Sequence, residues 1–236
     1  MTKSTKIFWI VIVFTLIVAG IFAMKVSNSF TGYEYLEDII EHEDINNIRV
    51  SRCFFGSEGI LYDMNIETYE QLEENADFIV KVKISNKRKI FEFCTKSVAT
   101  VLEVYKGDLE ENTSIYVYEP AVINNITILE YTSGGGYQLM QEDEEYILFL
   151  NALPKLEGYQ YKNDEANSYM MVSPLYSKYD VDYTDEYLNV LDEVRLDEDV
   201  SYTYTEVKEY PIITVSTEEI ERYKLFWGEV ITGYIQ

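Results

Sequence analysis

Residues 91–105 read FEFCTKSVATVLEVY, the longest strand signal in the chain. Val98, Thr100, Leu102 and Val104 fall on one face; Ala99, Val101 and Tyr105 fall on the other. A period of two marks a strand. Fifteen residues exceed the usual strand length of roughly 3–10, so the segment is expected to bend strongly, as strands do in small barrels. Asn86-Lys87-Arg88-Lys89 reads as the polar turn before it, and Lys106-Gly107-Asp108 ends it.

The neighbouring segments continue the pattern. Upstream, Thr68-x-x-Gln71 forms a capping box that opens a helix with Tyr69, Leu72 and Ala76 on one side. Phe78 to Ile84 then alternates, with Val80, Val82 and Ile84 inward and Lys81 and Lys83 outward. Downstream, strands are expected at Ile115 to Tyr118 and near Ile126 to Tyr131, with Gly134–Gly136 as a flexible hairpin turn. Tyr146 to Leu150 is a continuous apolar run that suits a strand buried on both faces, and Tyr169 to Val172 follows. Five or more strands with one long bent member predict a barrel, which leaves no open sheet edge.

The flanks are less regular. Leu36, Ile39 and Ile40 have helical spacing, with His42 on the charged side between Glu41 and Glu43. Ile48 to Phe54 and Ile60 to Met64 read as strands, with Ser57-Glu58-Gly59 as the turn between them. Residues 185–196 regain helical spacing through Tyr187, Leu191 and Val194, and Val200 to Val207 reads as a strand. Ser216-x-x-Glu219 caps a last helix with Ile220, Tyr223, Trp227 and Val230 on one face. The expected class is mainly β with short helices: an OB-like five-stranded barrel over 34–180 and a helical and strand extension over 181–236.

The N-terminus has a different character. Ile7 to Met24, IFWIVIVFTLIVAGIFAM, holds 18 uncharged residues behind Lys3 and Lys6. As a helix it spans about 27 Å, close to a bilayer's apolar thickness of about 30 Å. The apolar run is longer than a signal-peptide core, and Ile21-Phe22-Ala23 is a poor cleavage site, so an uncleaved signal anchor is expected over residues 1–25. Residues 26–33, VSNSFTGY, read as a tether. The two leading lysines place the short tail in the cytoplasm and the rest of the chain outside.

Charge narrows the function classes. The 236 residues carry 19 Lys+Arg and 42 Asp+Glu, for a net charge of −23. Three of the basic residues and no acid lie in 1–25, so the outer part is −26. Such a surface repels nucleic acid, and no nucleic-acid partner is expected. The single His gives no ready Ser-His-Asp set, and no catalytic residue or cofactor is assigned.

Few constellations remain. Cys53 and Cys94 are the only cysteines, a candidate disulfide in an outward-facing domain, or two buried thiols. Asp180, Asp182 and Asp185 form a candidate calcium cluster, although the EF-hand spacing fails because Asp185 stands where its glycine belongs. Among 22 Tyr, the alternating Tyr116, Tyr118, Tyr202 and Tyr204 offer either an aromatic binding face or cross-strand pairs.

The order Ala76-Asp77-Phe78-Ile79-Val80, then Val101-Leu102-Glu103-Val104-Tyr105-Lys106-Gly107, then Glu144-Glu145-Tyr146-Ile147-Leu148-Phe149-Leu150 resembles uncharacterised bacterial surface proteins. It is also similar to the barrel of netrin-like modules and tissue inhibitors of metalloproteinases. The resemblance covers residues 67–175 and implies an OB-type barrel. The inhibitors' zinc-blocking N-terminal Cys has no counterpart here, because this N-terminus holds no Cys. The expected function is a membrane-anchored, extracytoplasmic, non-enzymatic domain that binds an unidentified protein at the cell surface. The alternatives are a carboxylate-based hydrolase of envelope polymers and a calcium-binding surface domain.

Overall fold

Residues Thr95–Lys106 form the bent strand, here β4, and everything else in the barrel is arranged around it. The computed structural model describes residue 15 and residues 33–53, 61–91, 93–124, 129–155, 157–182, 187–193, 195 and 201–235. The chain divides into two units, Met1–Tyr33 and Glu34–Gln236. The expected anchor lies outside the described residues apart from Thr15. Among the described residues no helix is long and apolar enough to cross a membrane.

The elements of the second unit run α1 (Leu36–His42), β1 (Arg49–Cys53), α2 (Tyr69–Asn75), β2 (Phe78–Ile84), β3 (Lys89–Ile90), β4, β5 (Ser114–Glu119), β6 (Ala121–Asn124), β7 (Glu130–Gly134), β8 (Glu145–Ala152), β9 (Ser168–Met171), β10 (Lys178–Asp180), α3 (Tyr204–Val207) and α4 (Thr217–Val230). Five strands close on themselves. β2 pairs antiparallel with β4, β4 with β5, β8 with β9 and β8 with β2, while β5 and β9 are parallel. In chain order the circuit is first, second, third, fifth, fourth and back to the first. This closed five-stranded barrel fits the OB-like expectation. The bend is absorbed where the β2–β4 register slips, between Ile79 and Val80 and between Lys81 and Val82. Such irregularities let a flat ladder curl.

Alternation decides what faces inward. From β4, Thr95, Ser97, Ala99 and Val101 are buried; from β5, Ile115, Val117 and Glu119. The β8 run Tyr146–Leu150 is buried throughout, as a strand packed on both faces must be. Its outer side chains Ile147 and Phe149 join Leu72 of α2, Tyr179 of β10, and Ile220, Tyr223 and Phe226 of α4 in one core cluster. The C-terminal residues are therefore part of the barrel's outer layer. Both expected capping residues sit at a helix N-cap, but only Thr68 closes the full box, because the Glu219 carboxylate accepts from Thr214 Oγ. Thr68 accepts from Gln71 N–H with the side chain of Gln71 returning, and Ser216 accepts from Glu219 N–H.

Pro120 hands the chain from the barrel to a second, three-stranded sheet. β1 runs parallel to β7, and β7 antiparallel to β6. Proline has no N–H for a ladder, so it suits the junction between two sheets. Gly134 N–H donates to the Pro120 carbonyl, which ties the end of β7 to this corner.

Two local expectations fail and two hold only in part. Val200 to Val207 is not a strand: residues 201–207 make one bridge, Thr203 to Arg49, and then turn into α3. The reason is another capping box, Thr203-x-x-Glu206, which the tyrosine alternation masked. Of 185–196, Tyr187 is in a 3-10 turn and Glu193 and Arg195 are helical, but 188–192 between them are irregular, held where Leu191 N–H donates to the Thr214 carbonyl. Residues 61–64 form a turn and an irregular segment, pinned by Asp63 N–H to the Val172 carbonyl. Gly134–Gly136 does turn the chain, with positive φ at Gly135 and Gly136, but it is buried. A Cβ at Gly135 would lie 3.0 Å from the Pro174 side chain, so the turn is packed.

Candidate functional site

Three successive residues at the end of β5 separate two environments. Tyr118 points out of the barrel, Glu119 points in, and Pro120 closes the corner. The inward side is polar. Glu119 is fully buried and accepts from Ser97 Oγ, from Tyr137 OH at 2.9 Å and from Met140 N–H at 2.7 Å. Burial pushes its carboxyl above the usual range; the Met140 N–H, Ser97, Arg88 and Tyr137 oppose that shift. Buried Arg88 donates from Nε to Glu37 at 2.6 Å and to the Met140 carbonyl at 2.7 Å. Tyr131 OH meets Gln138 Oε1 at 2.9 Å, and Ser133 Oγ donates to the Tyr137 carbonyl at 2.8 Å. This network fastens segment 137–140 across the mouth of the barrel and ties α1 to the β3 edge.

The outward side is apolar. Leu61, Phe93, Tyr118, Leu153, Pro154 and Met170 surround a pocket of about 240 Å³. Phe93 is 74% exposed and Leu61 52%. Cys94 is a free thiol on the wall, held up to about 11 by burial and then by the charge of Glu119. That value keeps it protonated and unreactive near neutrality. The volume is below the 300–1,000 Å³ typical of small-molecule sites and suits one or two side chains of a polypeptide. Exposed apolar surface of this kind marks binding sites.

Lysines edge this face. Lys89 and Lys96 each lie 5.9 Å from the ring centroid of Phe91, whose ring is 6.0 Å from that of Tyr118. Lys96 also sits 4.8 Å over Tyr116 and pairs with Asp164 at 2.5 Å. Lys155 lies over Tyr161, whose hydroxyl donates to the Leu153 carbonyl. Four of the chain's 19 basic residues, Lys89, Lys96, Lys155 and Lys162, stack on aromatic faces here.

The residues singled out from sequence are scattered. Tyr118 lines the pocket and Tyr116 lies under Lys96. Tyr202 instead stacks 3.8 Å under the Arg195 guanidinium, and Tyr204 is buried with its ring 5.1 Å from that of Tyr131. The four tyrosines do not form one face. Asp180 and Asp182 are joined by a turn, Asp182 N–H donating to Asp180 Oδ1 at 2.9 Å, while Asp185 lies outside the described residues. Among the described residues no group of three or more His, Cys, Asp or Glu is placed to share an ion. The side chain of Cys53 lies outside the described residues. His42 is exposed at the end of α1, as expected.

Sequence reasoning missed the pocket because its walls come from five distant segments. It also missed Glu119, although a signal was present. Ile115, Val117 and Glu119 share the inward register, so a carboxylate stands where an apolar residue belongs. The chain matches no family model and no curated protein.

Proposed function

We propose that this chain is a membrane-anchored, outward-facing binding module whose barrel holds the apolar pocket toward a partner protein. The observation that carries the reading is the pocket itself, with Phe93 and Leu61 exposed on a rigid five-stranded scaffold. The occupant is an extended polypeptide segment with a large apolar anchor flanked by acidic residues. Its anchor fills the apolar walls, and its acids replace Glu34 on Lys89 and Asp164 on Lys96, the lysines stacked on the rim of a chain that is elsewhere strongly negative. Buried apolar anchors supply most of the affinity of such contacts, and rim charges supply orientation and rate. The Ile7–Met24 segment supplies the anchor, and the resemblance of residues 67–175 to netrin-like modules agrees with a binding role.

A photo-crosslinking residue at Phe93 of the full chain, in native membranes, tests this. The same residue at Leu225, which is 71% exposed on α4, is the control. Crosslinking to a discrete polypeptide from position 93 that Leu61→Asp abolishes, and that position 225 does not give, is the expected result. Equal products from both positions, or lipid adducts alone, would contradict it. A C-terminal tag that resists protease on intact cells would contradict the orientation.

A further inference from the structure

A second cleft has Gln138, Tyr146, Lys178, Asp180, Lys208 and Glu209 among its walls. Its volume is about 30 Å³, room for one or two waters or a single small ion. Two of its groups are unusual. Lys178 is only 5% exposed, and among the described residues its ammonium makes no direct ion pair or hydrogen bond, although the charges of Glu119 and Asp180 act on it from further off. It rests instead on two ring faces, 5.1 Å from the Tyr137 centroid and 5.4 Å from that of Tyr146. Gln138 is 1% exposed, and its Nε2 has no hydrogen-bond partner while Oε1 meets Tyr131 OH.

A buried donor left unpaired costs about 1–3 kcal/mol, and an unpaired buried charge costs more. The Gln138 amide is such a donor, and the Lys178 ammonium on the same small cleft favours an anionic acceptor for it. None of the three nearby carboxylates fills that role: Glu119 is engaged by Ser97, Tyr137 and Met140, Asp180 accepts from its own turn, and Glu209 pairs with Lys208 at 3.5 Å. From this juxtaposition we infer that the cleft binds a small monovalent anion, a halide or a carboxylate head, between the Lys178 ammonium and the Gln138 amide. The site shares no lining residue with the apolar pocket. Burial has pushed the Lys178 ammonium down to about 8, against the pull of Glu119 and Asp180, and a bound anion would raise it again.

The test is thermal unfolding of the full chain at pH 7 and matched ionic strength, with chloride, formate or a bulky sulfonate as the sole anion. Chloride and formate should raise the midpoint over the sulfonate by about 2–4 °C, the size of a shift set by an anion at a few times its Kd. Lys178→Met and Gln138→Met should each remove that increment, whatever they do to the midpoint itself. Chlorine-35 line broadening, present in the unmodified chain and lost in Gln138→Met, gives the same answer if Lys178→Met fails to fold. No anion-specific increment in the unmodified chain would overturn the inference and leave a cleft that holds water only. An increment that survives in either variant would overturn it too, because the anion would then be bound elsewhere.

Discussion

Tyr118 and Glu119 are neighbours in sequence and opposites in setting. Glu119 sits among hydroxyls, a backbone N–H and a guanidinium, all of them spent on one another. Tyr118 helps to wall a pocket that leaves Phe93 and Leu61 largely in water. A polar group out of water is tolerated only with partners, so the inward side is architecture. Apolar surface kept in water adds nothing to the fold, so the outward side is available for binding. One strand thus turns a period of two into a division between structural support and the surface proposed for recognition.

That division predicts unequal responses to substitution. The largest belongs to the inward side. Glu119→Ala leaves the Tyr137 hydroxyl, the Met140 N–H and part of the Arg88 charge uncompensated. Unfolding in urea should show a loss of roughly 3–5 kcal/mol. Glu119→Gln should lose less, since an amide oxygen still accepts. A near-neutral Glu119→Ala would erase the distinction between the two sides.

Next comes Lys178, whose ammonium is depressed to about 8 in the fold. Its unfolded value near 10.4 is higher, so the unfolded chain binds more protons between the two values. The stability due to this group is therefore present above about pH 10.4 and is lost as pH falls through about 8. Glu119, Asp180, Tyr137, Tyr146, Lys208 and Glu209 surround it. The difference between the unmodified chain and Lys178→Met removes their contributions. With a bulky sulfonate as the anion, that difference should move by about 3 kcal/mol in favour of the unmodified chain between pH 7.5 and 10.5. A pH-independent difference would mean that Lys178 is solvated.

Cys94 gives a kinetic measure of the pocket wall. With its thiol held up to about 11, alkylation at pH 8, followed by mass spectrometry of the Cys94 peptide, should run about a hundredfold slower than for a free cysteine. A rate equal to that of free cysteine would place the thiol in water. The smallest effect belongs to the outward side. Phe93→Asp should change unfolding stability by no more than about 0.5 kcal/mol, the usual range for exposed positions. A larger loss would make Phe93 part of the core.

Much of the barrel was legible because period and capping are local. Phe78–Ile84, the bent strand from Thr95, the apolar run Tyr146–Leu150 and the Thr68 and Ser216 caps all carry their signals within about ten residues. The failures have the same cause in reverse. Tyr202 and Tyr204 alternate as a strand would, but the Thr203–Glu206 box satisfies the backbone earlier and starts a helix. Lys178 carries no local signal; the pairing of β10 with β8 and the cover of Tyr137 and Tyr146 bury it. The pocket joins Leu61, Phe93, Tyr118, Leu153 and Met170 across more than a hundred residues of chain, which no window of sequence contains.

Peptide selection against the full chain, followed by titration of one selected peptide, measures the proposed role of the pocket most directly. The expected peptide carries one large apolar anchor with flanking acids. It should bind the unmodified chain at least tenfold more tightly than Phe93→Asp, while the two proteins unfold at the same urea midpoint. Equal affinity for both proteins would show that the exposed apolar wall is not where recognition occurs.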